Sequence, residues 1–500
     1  MHDLEPAPPI LYRSVYNDAR HHERVAFALL AAVQVVLIMA ITLVVVALPA
    51  IQHDFGLGAG GLALVTSAYG VSFAGLLLLG GRLADLHGPR RLLSWGLATF
   101  GAASVAAGAA WTPEALILAR FVQGCGAALA APSALALVGE VVREPTRRER
   151  AHALWGGLAS FGAVLGMLVS GAVTLVSWRW LFAIPAAVAA LVLWHAPRLL
   201  PEARPRERAP LDAAGALLAT TGLALTSFGL SRAADFGWSS ASAGLAVAAG
   251  VALLAAFGWV ERKATEPLLP PWLLRSRRRV VALLAILGTS AVTGALTFFV
   301  SLYLQQLRGL TPLQTSGAFL PYAAVLACTS VVTGRLVGRL GARRVLVAGL
   351  ALAAAGSALA ARMDEGPATW VVAALLVFPA GAVLAFSGAT VAALEDVRRD
   401  RVGVAGGLVN TALETGPVLG LAVLVAVANR STTRLVAGGI DPAPATLAGY
   451  ASALEAAAVA LAVLCVLAAV ASPPGLVSPS APFGSSPPGP SSTRSKGDDA

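Results

Sequence analysis

At 500 residues, 57% hydrophobic and only 12% charged, the chain is too apolar for a soluble globular enzyme. Its formal net charge of +10 does not make it a nucleic-acid binder, because the cations fall in short segments between apolar runs and build no single basic patch. Cys125, Cys328 and Cys465 lie inside apolar runs with neither disulfide nor metal-ligand spacing, so no metal or other cofactor is expected.

Residues 1–25 are polar and carry His21 and His22, which places them on the cytoplasmic surface. The first apolar run is too long for a signal-peptide core and has no cleavage site after it. Fourteen runs of spanning length follow, each near the roughly 20 residues that a bilayer needs. They are 26–50, 61–82, 92–111, 114–138, 151–174, 178–197, 211–231, 241–260, 280–304, 313–335, 345–362, 369–393, 402–428 and 446–471. This order predicts an all-α integral membrane protein of two six-helix bundles, 26–197 and 280–471. Between them, the linker 198–279 carries two extra spans, expected at the periphery. The tail 472–500 is rich in Ser, Pro and Gly, cannot bury a core and is expected to be disordered.

A short charged connector, Gly81 to Arg91, joins the second and third spans and holds Arg82, Asp85, Gly88, Arg90 and Arg91. It leaves room for a tight turn at the water interface and nothing larger. A close copy returns after the tenth span, from Gly334 to Arg344. Two copies that far apart mean two structural halves. With the N-terminus inside, 29 of the 36 Lys and Arg fall on the cytoplasmic side and six outside, namely Arg179, Arg232, Arg308, Arg362, Arg430 and Arg434. That asymmetry puts both termini in the cytoplasm. High Ala, Gly and Arg with two lysines, Lys263 and Lys496, points to a GC-rich bacterial source and hence to the inner (plasma) membrane.

Several stretches then carry a family pattern. The Gly81–Arg91 connector, with its Asp85, matches a loop signature between helices 2 and 3. Arg120, Phe121, Val122, Gln123, Gly124, Cys125 and Gly126 match a helix-4 signature. Val46, Ala47, Leu48 and Pro49 match the end of helix 1, and Trp178 to Phe182 the start of helix 6. Asp212 to Gly215, and later Gly237 and Trp238, match helix 7 and the loop after it. On these residues the chain resembles the major facilitator superfamily, and within it the fourteen-span drug:proton antiporter branch. The branch usually carries an acid in helix 1 where this chain has Ala40. The usual Pro of its helix-5 signature is Met167 here, and one Gly is Ser170. The second connector has Gly338 in the place of Asp85.

The charged residues inside this frame suggest roles. Asp85, beside Arg82, Arg90 and Arg91 and the glycines Gly81 and Gly88, is expected to act as a conformational latch, bonded when the cytoplasmic side is closed and released when it opens. The alternative is that the arginines only fix topology. Arg120 lies about 10 Å inside its helix at the usual rise of ~1.5 Å per residue, so it needs a polar interior or a partner. Glu414 falls near mid-span with Asn410 at i−4 and Pro417 at i+3, where a permanent charge is costly. It is a candidate proton carrier, or else a protonated acid bonded to a neighbouring helix. Glu455, with Ser452 at i−3, is a second candidate.

Gly162, Gly166, Ser170 and Gly171 keep small residues at helical spacing, which predicts close helix packing. Tyr69, Phe298, Phe299, Tyr303, Phe319, Tyr322 and Asn410 are candidates for an apolar substrate cavity with few polar anchors. His152 and His195 are isolated near span ends, and no phosphate-cradling Gly-Lys-Ser/Thr loop occurs, so no enzyme activity is expected.

The resemblance and these residues together imply a monomeric secondary transporter that exports drug-like or endogenous small organic molecules, driven by the proton gradient. Its partners are then the small-molecule substrate, protons and the lipid bilayer. Ala40 and Met167 leave open a facilitator or importer without proton antiport, and the tail leaves open a non-transporting scaffold or sensor.

Overall fold

The computed structural model describes residues 9–142, 144–202, 213–237, 240–264, 274–364, 369–397 and 402–471, with no strand among them. Asp212, Trp238 and the tail after Ala471 lie outside the described residues, as does the side chain of His152. In chain order the helices are α1 (Pro9–Phe55), α2 (Ala59–His87), α3 (Pro89–Gly108), α4 (Pro113–Val141), α5 (Pro145–Thr174) and, after a 3₁₀ turn at Trp178–Phe182, α6 (Ala183–Leu199). Two more follow, α7 (Ala213–Phe236) and α8 (Ala241–Glu261). The later set is α9 (Arg277–Leu302), which ends in a π turn at Tyr303–Leu307, then α10 (Pro312–Ala318), α11 (Leu320–Leu340), α12 (Ala342–Ala361), α13 (Thr369–Leu394), α14 (Val402–Ala437) and α15 (Pro442–Ala471).

Each of the fourteen expected spans is helical over its described residues, one of them with a break. Among the described residues, thirteen helical segments are long and apolar enough to cross a membrane. The other span, α3, is 20 residues long and opens on Arg90 and Arg91. The span expected at 313–335 is broken. α10 stops at Ala318 and α11 restarts at Leu320, so Pro321, which has no N–H to donate, falls in the first turn of the new helix.

The duplication is visible in the backbone. Both connectors turn on a glycine with positive φ, Gly88 at 87° and Gly341 at 82°. Each glycine N–H donates to the carbonyl four residues earlier, Ala84 or Val337. A residue with a Cβ would be strained at either turn. The next helix then begins at once, at Pro89 or Ala342.

Packing is tightest in matching places of the two halves, α3 on α4 and α12 on α13. A Cβ at Gly126 would sit 2.5 Å from the Phe100 amide, and one at Gly388 2.6 Å from the Leu346 amide. Small residues thus let backbones touch, which is how membrane helices gain packing energy without a solvent-driven core. α2 packs along α14 and joins the halves lengthwise. The expectation that both extra helices are peripheral needs correction: α8 packs mainly on α7, but α7 itself lies against both α2 and α14.

The two ends differ. At the end where α1 finishes, the halves are tied together. Ser301 Oγ donates to Val45 O at 2.9 Å, Gln305 Nε2 to Val46 O at 3.0 Å, and Ser316 Oγ to Met167 O at 2.7 Å. Gln306 Nε2 donates to Gln52 Oε1 at 2.5 Å. At the connector end α11 stands clear, and from Thr329 to Leu340 only Thr333 is buried. The halves are thus sealed together by side-chain hydrogen bonds at the end where α1 finishes, and among the described residues no such bond joins them at the connector end.

Candidate functional site

Arg120 is the largest fully buried side chain among the described residues, with 0% exposure. Its Nη1 donates to Ala40 O at 2.9 Å and to Gln123 Oε1 at 2.7 Å, and its Nε lies 3.5 Å from Val65 O. Gln123 is held in turn, donating from Nε2 to Ser104 Oγ at 2.8 Å. The guanidinium lies 4.9 Å from the centre of the Tyr69 ring, a cation–π contact strengthened where water is absent. Tyr69 is fixed by its own hydroxyl, which donates to Leu37 O at 3.0 Å. One charge therefore ties α1, α2, α3 and α4 together. Among the described residues its Nη2 has no hydrogen-bond partner, and no carboxylate pairs with it. The partner on α1 is the Ala40 carbonyl.

α14 supplies the acid. Glu414 is partly exposed and Asn410, one turn earlier, is exposed. A Cβ at Gly406, a turn before Asn410, would meet only open space. On the same helix, Gly407 approaches Leu78 and Val418 approaches Gly70, both of α2, while Pro417 lies against Gly294 of α9. Glu414 is thus held on a helix that packs between the halves. Among the described residues, no donor lies within hydrogen-bond distance of its carboxyl.

Other expectations fare differently. Glu455 is exposed on α15. It shares a stripe with Val459, Val463, Val466 and Val470, each more than half exposed, so it points away from the Arg120 cluster. The helix face decides this, since α15 buries Tyr450, Leu454, Ala457 and Leu461 instead.

The aromatic candidates form packed core, not cavity wall: Tyr69, Phe298, Phe299, Tyr303, Phe319 and Tyr322 are all 5% exposed or less. Phe299 packs edge-on to Phe298 and tilted against Tyr450, with centroids 5.5 and 5.0 Å apart. Tyr303 accepts from Arg308 Nε at 2.6 Å, and Phe319 packs edge-on to Tyr322. In a bundle of Ala and Gly, large rings are needed to fill volume. Of that group, only Asn410 faces open space.

The connector arginines are not on Asp85. Arg90 and Arg91 both pair with Glu202, at 3.2 and 3.1 Å, and Arg90 also donates to Leu200 O at 3.2 Å. Asp85 is exposed, without an ion pair among the described residues. Gly81 is not tightly packed, its Cβ position being 3.9 Å from Pro132 Cβ, whereas its neighbour Gly80 is pressed onto Ala128 O.

On α5 the small residues meet α1. A Cβ at Gly162 would come 2.6 Å from Val35 O, and one at Gly166 would overlap Thr42 Oγ1. Ser170 Oγ donates to Leu43 O at 2.5 Å. Gly171 faces the other half, where a Cβ would overlap Ser316 Oγ.

Some partners escaped the sequence reading. The i,i+3 spacing of Arg120 and Gln123 was a visible signal on one helix face. Glu202 had no such signal, because its partners are distant in sequence.

The comparisons with known proteins agree with this architecture. A family profile described as Major Facilitator Superfamily matches residues 30–421. The puromycin resistance protein pur8 of Streptomyces alboniger is 36% identical over 448 residues, 87% of this chain and 89% of that protein. The cephamycin export protein CmcT of Amycolatopsis lactamdurans is 34% identical over 450 residues, 87% of this chain and 91% of its own. Among solved structures, a bacterial homologue of the human lysosomal transporter Spinster, inward-facing and occupied, has a TM-score of 0.66 at 16% identity, covering 90% of this chain and 97% of that one. That likeness concerns the fold. With a matched profile over most of its length and relatives of this identity, the chain is a multi-pass membrane transporter, not an enzyme, and belongs to the Major Facilitator Superfamily.

Proposed function

We propose that this transporter exports drug-like or antibiotic-type organic molecules by rocking of its two bundles, in exchange for protons carried on Glu414. The observation that carries the reading is Glu414 itself. It is an unpartnered carboxyl at mid-span, held between the halves and facing the interior of a molecule that is sealed at one end only. A carboxyl in that position binds and releases a proton as its surroundings change with the state of the transporter. The names of the relatives, resistance and export proteins for puromycin and cephamycin, support export of such compounds.

The 29-to-6 distribution of cations supports placing the open connector end in the cytoplasm, both termini inside and the chain in the plasma membrane. An open connector end with Asp85 unpaired is also what the latch requires of this state. Asp85 would find its cationic partners only when that end closes.

Ala40 favours the second reading, a facilitator without proton coupling. Arg120 meets a backbone carbonyl where the resemblance leads one to expect an acid, and no charge on α1 changes with protonation there.

Dye or drug uptake into inverted membrane vesicles under an imposed pH gradient separates the two. Gradient-driven uptake, abolished by an uncoupler and lost in Glu414→Gln, is the expected result. Uptake that ignores the gradient in both wild type and variant would establish the facilitator.

A further inference from the structure

We infer that α7 travels as part of the N-terminal bundle, and that the surface which slips during transport lies between α7 and α14. This rests on the rocking of two bundles proposed above. It makes α7 a moving part, with Asp235 and Asn429 as the residues that set its position.

The two seams of α7 are built differently. Against α2 the contact is backbone on backbone. A Cβ at Gly60 would overlap Ser231 O, and a Cβ at Gly75 would lie 2.8 Å from Thr220 Cα. Between these points Ser67 Oγ and Ser227 Oγ are 3.3 Å apart. At the sealed end Asp235 caps α2, accepting from the Gly60 and Gly61 amides at 2.7 and 3.0 Å. A carboxylate on a helix N-terminus satisfies orphan donors and the helix dipole together. The contact therefore runs the length from Gly60 to Gly75, and at both ends it includes main-chain atoms, Ser231 O and Thr220 Cα, that cannot yield by a rotamer change.

Against α14 the contact is made by side chains. Leu223 packs in a small apolar cluster with Val71 and Val418. Asn429 Nδ2 donates to Ala234 O at 2.8 Å. The other face of α7 carries α8, where Cβ positions at Gly222 and Gly229 would meet Gly250 O at 3.1 Å and Ala243 O at 2.9 Å. Helices locked by main-chain contact move together, and a surface of apolar side-chain ends can shear. Neighbouring residues Ala234 and Asp235 thus bond to opposite halves. The Asp235 bonds hold through the cycle, and the Asn429 bond breaks when the sealed end opens.

The test uses full-length protein in which Cys125, Cys328 and Cys465 are replaced by alanine, with three cysteine pairs made one at a time. Ser67→Cys with Ser227→Cys is closed by oxidation, and Ala234→Cys with Asn429→Cys by a short bis-methanethiosulfonate, which joins the thiols through two reducible disulfides. Gln52→Cys with Gln306→Cys, which ties the bundles directly, is the control for rocking. Uptake of ethidium, as probe, into inverted vesicles is measured before linking, after linking and after reduction. The expected result is that the 67–227 link leaves uptake within about twofold, while the 234–429 and 52–306 links each lower it by about tenfold or more and reverse on reduction. Loss of uptake with the 67–227 link overturns the assignment, and so does full uptake with the 234–429 link while the 52–306 link blocks. Full uptake with the 52–306 link closed instead overturns the rocking reading beneath it.

Discussion

A guanidinium with no exposed surface has to be met by the chain, and Arg120 is met by carbonyls rather than by an acid. Its bond to Gln123 Oε1, at 2.7 Å, is one of few that a substitution can remove without touching the backbone. Gln123→Leu leaves that Nη1 with only the Ala40 carbonyl, while the Ser104 hydroxyl keeps its bond to Phe100 O; the buried N–H left unmade costs about 1–3 kcal/mol. A lower thermal midpoint of the purified protein in detergent is the expected outcome. Gln123→Glu, which keeps an acceptor and adds a negative charge beside Arg120, should hold the wild-type midpoint. Equal midpoints for the Leu variant and wild type would mean that water replaces the lost acceptor. At this scale the sequence was informative about cost and silent about partners. That Arg120 and Glu414 sit where charge is expensive follows from counting along a span. That Arg120 finds the Ala40 carbonyl, or that Arg90 and Arg91 find Glu202, depends on contacts made across many residues of chain. The buried rings show the same limit, since an aromatic in a span reads alike whether it fills core or lines a cavity.

Among the elements, α5 shows what spacing alone conveys. Gly162, Gly166 and Ser170 recur every four residues, so one face of the helix was readable as a close-packing stripe, though not which helix it meets. The structure places α1 there. The same change at two glycines of this helix should then have opposite effects. Gly166→Ala sets a methyl group against Thr42 Oγ1 and Met39 O, and overpacking of this kind costs about 1–3 kcal/mol. Gly157→Ala meets nothing within 4 Å and removes only backbone freedom from the unfolded chain, a gain of about 0.4–1 kcal/mol. Thermal midpoints that fall for the first and hold or rise for the second are expected. A fall of similar size in both would show that the α1–α5 contact is not the limiting one. The helix lengths were legible because a bilayer sets them. The break between α10 and α11 had a signal in Pro321 that the apolarity of the run concealed, and the seat of α7 between α2 and α14 had none, since only tertiary packing decides it.

For the whole molecule, the repeated connector was enough to read two halves, and the positive φ of Gly88 and Gly341 gives that repeat a physical basis. The state of the molecule is another matter, because a sequence that must support both an open and a closed end cannot favour one by pattern. What holds the present state is a small set of side-chain hydrogen bonds across the sealed end. Ser301 and Gln305 reach the Val45 and Val46 carbonyls from one helix. Removing both side chains with Ser301→Ala and Gln305→Ala deletes these cross-half bonds, each worth about 0.5–1.5 kcal/mol net. The sum, about 1–3 kcal/mol, corresponds to a shift of roughly 5–150-fold toward opening at that end. Spin labels at Trp111 and Ile440, which are exposed at the sealed end in opposite halves, read it directly. The double variant should add a longer component to their distance distribution, while Ser330→Ala, whose hydroxyl bonds only within α11, should not. An unchanged distribution in the double variant would move the seal to the remaining contacts, Gln306 with Gln52 and Ser316 with Met167. It would also mean that the balance between states is set by α5 and α10, through the close approach at Gly171, and not by the end of α9.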